Sequence, residues 1–282
     1  MQKKNVRYLM KNPPSDSSPF KKMSRLAQDL RDPDGGCPWD QRLTLSEMAR
    51  HLIEEAYEVA DSLRSGNLSA LMEELGDLQF HIAMIAQLAK EEGVFDWSQV
   101  MEQSVDKLVE RHPHVYGTGQ ADSSNEVEGN WEQQKVRKQL SNKEESLLDS
   151  ISHSFPSLLK AHKLGKKAAA VGFDWGSNED ALPQIKEKMR EEWDELAQEI
   201  VSGSKERQIE EFGDYLFVVA QYGRKLGLDP EEALTRACSK FIRRFKFMER
   251  WHSSLLKKGQ SPTLEQWEQS WVEAKKSQQS TG

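Results

Sequence analysis

The sequence predicts an all-α chain. Only 17 glycines and 10 prolines interrupt 282 residues, apolar residues recur at helical spacing from Phe20 onward, and no five-residue alternating run rich in β-branched residues calls for a strand. The first helix is centred on Met23, Leu26, Ala27 and Leu30, and the turn-forming RDPDGGCPWD stops it with Pro33, Gly35 and Gly36. A second helix spans about 46–65 and breaks at Gly66 and Asn67. The third runs over about 68–92 to Gly93, and the fourth over about 97–111, until Pro113 of HPHVYG ends it. In KNPPSDSSP, upstream of the first helix, the prolines lack donors and the Ser and Asp side chains compete for the backbone, so residues 1–20 are expected to be a disordered extension.

At roughly 150 residues per domain the length suggests about two domains. Two cysteines, Cys37 and Cys238, are too few for a disulfide framework or a four-thiolate zinc site and fit a reducing cytoplasm. No stretch approaches the ~18 apolar residues of a membrane span, and no secretory signal is expected at the start. The net charge of −7 offers no general electrostatic footprint for nucleic acid. Nucleic-acid and membrane partners are therefore not expected, and a polyanionic ligand has to be met locally or through a metal ion.

The chain repeats itself. A shift of 137 residues places Glu54, Glu55, Glu58, Ser65, Gly66, Glu73, Glu74, Gly76 and Asp77 on Glu191, Glu192, Glu195, Ser202, Gly203, Glu210, Glu211, Gly213 and Asp214. With Ala60, Phe80 and Ala83 also matched, 12 of 30 positions are identical without a gap, where ordinary residue usage gives roughly two. Further on, Lys107 falls near Lys240 and Arg111 near Arg244. The expected organisation is a first module over 21–116, a polar linker over 117–149 with an amphipathic helix around 131–140, and a second module over 150–282.

Each copy carries two acidic residues three apart on one helix and two more on the next, and residues three apart share a helix face. Antiparallel packing of the two helices would converge four carboxylates. As solvated surface charges they need no further account. In the second copy, however, Ile185, Met189, Leu196 and Ile200 form an apolar stripe with Glu192 at its edge, and DYLFVVA is apolar all round with Val218 one turn past Asp214. No lysine is expected inside either quartet to pair these acids, and partly buried carboxylates without partners repel one another. A hard divalent cation resolves this, and an all-oxygen set with no repeated histidine or cysteine favours Mg²⁺ or Mn²⁺. The implied chemistry is phosphoryl or nucleotidyl transfer to water. A di-iron carboxylate bundle is the competing metal reading, but it wants a histidine three residues after a glutamate. His51 and His81 lie near the first quartet, yet their counterparts are Lys188 and Val218.

The paired EEAYE…EELGD and EEWDE…EEFGD, with GCPWD, RHPHVYG and VGFDW around them, resemble the MazG family of nucleoside triphosphate pyrophosphohydrolases over about 21–276. The resemblance implies tandem, four-helix-type all-α modules assembled as a homodimer. It also implies Mg²⁺-dependent cleavage of NTPs or dNTPs to monophosphate and pyrophosphate by attack of water at the α-phosphorus. It assigns the metal to Glu192, Glu195, Glu211 and Asp214, with Glu55, Glu58, Glu74 and Asp77 as first-copy counterparts. Nucleotide contacts fall to Lys188, Arg207, Glu210, Asp214, Lys240, Arg244 and Trp271, where Trp271 either stacks on a base or simply packs. The general base is one of Glu191, Glu192 or Glu195, and Lys240 or Arg244 meets leaving-group charge. Phe173, Asp174 and Trp175 read as structural, Cys37 as packed, and the histidines of RHPHVYG as loop hydrogen-bonders. Alternatives are a narrow-specificity dUTP, dCTP or phosphoribosyl-ATP pyrophosphatase, or a non-catalytic nucleotide-binding regulatory protein. Two fused modules favour the MazG resemblance.

Overall fold

In the computed structural model the described residues are 11–16, 18–118, 123, 127, 131, 146–176 and 178–279. They contain eleven helices and no strand. The chain divides into two compact units at 122/123.

In the first unit, α1 (Pro19–Arg31) starts with proline at its first position, where a missing N–H costs nothing. It begins inside the stretch expected to be disordered, and Lys11 pairs with Asp32 just past its C-terminus, so residues 11 and 19–20 depart from that expectation, while 1–10 lie outside the described residues. A 3-10 turn, Asp40–Arg42, follows. The Arg31 guanidinium donates to the Asp40 and Leu43 carbonyls and pairs with Glu91. Next, α2 (Leu45–Ser65) opens with a Thr44/Glu47 capping box and closes on left-handed Gly66. Asn67 caps α3 (Leu68–Glu91) by accepting from the Ala70 N–H. The core is Leu43, Met48, Met84 and Leu88, with Leu30, Phe80 and Ile85 against it. α4 (Trp97–Arg111) packs on α3 but buries none of its own residues. Pro113 does not end helical structure, as expected from sequence, but opens the short α5 (Pro113–Tyr116), because proline suits a helix's first turn.

The second unit begins with α6 (Ser157–Ala170). α7 (Asn178–Ser202) and α8 (Lys205–Lys225) pack along each other, joined by Gly203 and Ser204. Ala181, Ile185 and Val218 form the core, with Trp175, Met189 and Tyr222 against them. α6 crosses α8 at Gly165, where a Cβ would stand 1.7 Å from Gln221 Oε1. The fully buried Gln221 amide donates to the Ala161 carbonyl at 2.7 Å. Asp229 caps α9 (Pro230–Trp251); the short α10 (Ser253–Leu256) follows, and α11 (Leu264–Gln279) packs back on α9. Ile200 is exposed, so the apolar stripe of α7 stops at Leu196. The helix expected over 131–140 lies outside the described residues, apart from position 131.

Candidate metal and nucleotide site

The hairpin α7–α8 positions the second quartet. Lys188, Glu191, Glu192 and Glu195 recur at three- and four-residue spacing along α7, as do Arg207, Glu210, Glu211 and Asp214 along α8, so each set follows one helix face. Ser204 Oγ accepts from the Arg207 N–H and fixes where α8 starts. Glu192, Glu195 and Glu211 each place one carboxylate oxygen within 4.8 Å of the others. Asp214 is exposed and not part of that set, although its charge acts on Glu211.

Glu192 is only 5% exposed. Contrary to the expectation that no lysine pairs these acids, Lys188 Nζ sits 2.7 Å from Glu192 Oε1 and 2.8 Å from Glu191 Oε1. Hydrogen bonds to Glu191 and Glu192 hold the lysine pKa well above its ordinary value. Burial, then the charges of Glu195, Glu210 and Asp214, push Glu211 up against the opposing pull of Arg207. Arg207 itself pairs with Glu210 at 3.1 Å.

Lys240, Arg244 and Trp271 gather on α9 and α11. The Arg244 guanidinium lies 5.3 Å from the Trp271 ring centre, Lys275 Nζ lies 5.9 Å from it, and Phe241 flanks the ring at 5.5 Å. Trp271 is thus a platform for cations. Among the described residues, no hydrogen bond or ion pair joins Lys240 or Trp271 to the carboxylates.

The first quartet repeats the geometry with different neighbours. Glu55, Glu58 and Glu74 bring oxygens within 4.8 Å of one another, and Asp77 is exposed outside that set. His81 Nε2 is 3.3 Å from Glu55 Oε1. The His51 and His81 rings stack at 5.6 Å and 10°, and Trp39 of GCPWD meets His51 edge-on at 5.8 Å. Among the described residues, Glu55 Oε2 and His81 Nδ1 are buried and have no hydrogen-bond partner. Burial, then Glu58, Glu73, Glu55 and Asp77, raise the pKa of Glu74. The sequence alone sets His51 and His81 aside and gives Trp39 no role beyond its place in GCPWD. The available signal was their register, His51 on Lys188 and His81 on Val218.

VGFDW plays a structural part. Asp174 accepts from Arg224 and pairs with Lys225, both at 2.7 Å. Burial pushes its carboxyl up, but the Arg224 and Lys225 hydrogen bonds outweigh that and bring it down to about 2. Trp175 packs on the core and Phe173 projects outward, 82% exposed. His112 Nδ1 contacts the Leu108 carbonyl, and Cys37 is half-buried.

The orphaned Glu55 Oε2 in the first unit, the Glu74 and Glu211 carboxyls pushed up by burial and then by neighbouring acids, and the all-carboxylate donors of each cluster fit a hard divalent cation. Two all-α modules, each with clustered carboxylates that could hold a metal ion and the second with basic side chains beside its cluster, are the arrangement expected of a metal-dependent phosphate-handling class. The MazG nucleotide pyrophosphohydrolase domain matches twice, over residues 43–116 and 182–248, and the chain belongs to that family. It is 40% identical over 225 residues to a nucleoside triphosphate pyrophosphohydrolase of Escherichia coli, covering 80% of this chain and 85% of that protein. It is also 35% identical over 231 residues to a Thermotoga maritima protein called nucleoside triphosphate pyrophosphohydrolase/pyrophosphatase MazG, covering 82% and 85%. An uncharacterized Bacillus subtilis protein, YabN, is 36% identical over 261 residues, 92% of this chain and 52% of YabN.

Proposed function

We propose that this chain hydrolyses nucleoside triphosphates, ribo- or deoxyribo-, to the monophosphate and pyrophosphate, with water attacking the α-phosphorus at the second module. The observation that carries this reading is the meeting of Glu192, Glu195 and Glu211 oxygens within 4.8 Å, with Lys188 and Arg207 on the same two helices. Glu192, Glu195, Glu211 and Asp214 would hold Mg²⁺, or Mn²⁺ in its place. When bound, the cation neutralises phosphate charge and makes water a better nucleophile. Lys188 moves its ammonium from Glu192 to a phosphate oxygen as a point charge. Arg207 leaves Glu210 to fork two others. Glu191 is released from Lys188 by the same movement and takes the proton from water, since Glu192 and Glu195 are committed to the cation. Lys240 and Arg244 meet the leaving pyrophosphate, and Trp271 braces Arg244 and offers its remaining surface to a base. Pyrophosphate as the product, lost on chelation with EDTA, tests the reading. Nucleoside diphosphate and orthophosphate as products would mean attack at a different phosphorus.

We further propose a homodimer working in the cytoplasm, where the two free thiols stay reduced. The dimer is supported by Trp193, Ile209 and Phe212, exposed on α7 and α8, and by the apolar Met101, Val105 and Leu108 exposed on α4. Gly76 and Gly213 sit inside helices, and a Cβ on either would meet nothing within 4 Å. Helical glycine costs about 1 kcal/mol relative to alanine, so open space there suits the approach of a second copy. Light scattering of the purified chain decides this.

A further inference from the structure

The two carboxylate groups are copies in sequence but differ in what neutralises them. In the second module a full positive charge already occupies the group: Lys188 Nζ lies 2.7 Å from the buried Glu192 and 2.8 Å from Glu191. In the first module His51 takes the place of Lys188. Among the described residues, no lysine or arginine forms an ion pair with Glu55, Glu58 or Glu74. The polar neighbour there is His81, whose Nε2 faces Glu55 Oε1 at 3.3 Å. That contact satisfies one oxygen of Glu55 and leaves Oε2 buried with none. A buried carboxylate oxygen without a donor is costly, and a lone imidazole N–H does not balance three carboxylates. A divalent cation matches the charge and the oxygen donors.

Resting on the reading that both groups take the family's divalent cation, we infer that they fill in order: the first module holds its cation without nucleotide, and the second fills only when nucleotide phosphate draws Lys188 off Glu192. A metal entering the second group competes with the Lys188 ammonium, which is hydrogen-bonded to the buried Glu192 and is itself 38% exposed; drawing that charge off the carboxylate is unfavourable unless it finds a new anionic partner. The triphosphate is that partner. No such displacement opposes the first group. The gap in metal Kd without nucleotide is therefore at least about tenfold, and metal and nucleotide bind the second module cooperatively. The first-module ion is resident and stabilises that module. Lys188 couples metal entry to the presence of substrate.

The test uses the full chain and Mn²⁺, with free Mn²⁺ read by electron paramagnetic resonance, first without nucleotide and then with a triphosphate analogue that has an uncleavable α,β-bridge. One tight Mn²⁺ per chain is expected without nucleotide. It should be lost in Glu58→Gln plus Glu74→Gln and kept in Glu195→Gln. A second tight class should appear with the analogue, or in Lys188→Met without it. Circular dichroism melts check that each variant folds. Glu74→Gln alone, at a side chain that makes no hydrogen bond among the described residues, serves if the double variant does not fold. A tight class that survives loss of the first triad, two equal classes, or no tight binding without nucleotide overturns the inference. Pyrophosphate release is assayed separately. Its absence with the loading order intact would sink the proposed reaction and leave the order standing.

Discussion

The first and second modules keep the same scaffold and change its furnishings. α3 begins at Leu68 and α8 at Lys205, the same position under the 137-residue shift, and each starts from a side-chain cap, Asn67 or Ser204. In each, three carboxylates of a helix hairpin meet within 4.8 Å. What differs is the set of side chains that meet phosphate or neutralise the acids: His51 for Lys188, Ala70 for Arg207, His81 for Val218. Gathering carboxylates is thus a property of the hairpin. Reading a polyphosphate is a separate property, supplied by a few substitutions on its faces.

The largest effect that could break this contrast is on turnover. Glu195→Ala with Asp214→Ala is expected to lower kcat by orders of magnitude, while Glu58→Ala with Asp77→Ala keeps most of it. Equal losses on one substrate, with oligomeric state checked, would mean two working sites per chain. Next comes the cation itself. Lys188→Met should lower kcat/KM by roughly 10- to 100-fold, the worth of a charged hydrogen bond to phosphate, whereas His51→Met at the matching position should change it little. Comparable effects from both substitutions would erase the distinction.

A smaller effect concerns the clasp of the second module. The Asp174 carboxyl is depressed to about 2 in the folded chain. Its stabilisation is therefore full above the unfolded carboxylate value and fades as pH falls from about 4 towards 2. Asp174→Asn should cost about 2 kcal/mol at pH 7, with the variant and parent melts converging at the acid end. A constant difference across that range would assign the loss to packing instead of charge. Smallest is Gly213→Ala, expected to raise the melting temperature slightly through helix propensity while weakening the dimer. A more stable variant with unchanged dimerisation would remove the support that this glycine gives to a second copy's approach.

Much of this architecture is legible in the sequence because its signals are local. Thr44, Asn67, Asp96 and Asp229 sit where caps are needed, and Gly66 and Gly93 take the left-handed conformation that ends or follows a helix. The boundaries of α2, α3 and α4 follow from them within a residue. The quartets were visible because duplication displays them twice. Local signals also mislead: Pro113 opens a helix, since a proline in the first turn removes no intrahelical hydrogen bond, and Pro183 lies inside α7 without ending it. Contacts set by tertiary packing left little or no trace in spacing. Asp174 reaches Arg224 and Lys225 some fifty positions away, and Trp39 reaches His51 across a turn. Lys188 stands one turn before Glu192, a spacing that reads as a helical ion pair as well as a phosphate contact.

The tight joint between paired helices also bears on biosynthesis. The acidic group of the first module is drawn from positions 55–74 and that of the second from 192–211, each within a single hairpin. Such sequence-local contacts form early and fast. A nascent chain that has cleared the ribosome tunnel as far as the end of α3 already owns every ligand of its first cluster, before any of the second has been translated. Vectorial synthesis therefore presents the two clusters to cellular metal one after the other, the amino-terminal one first.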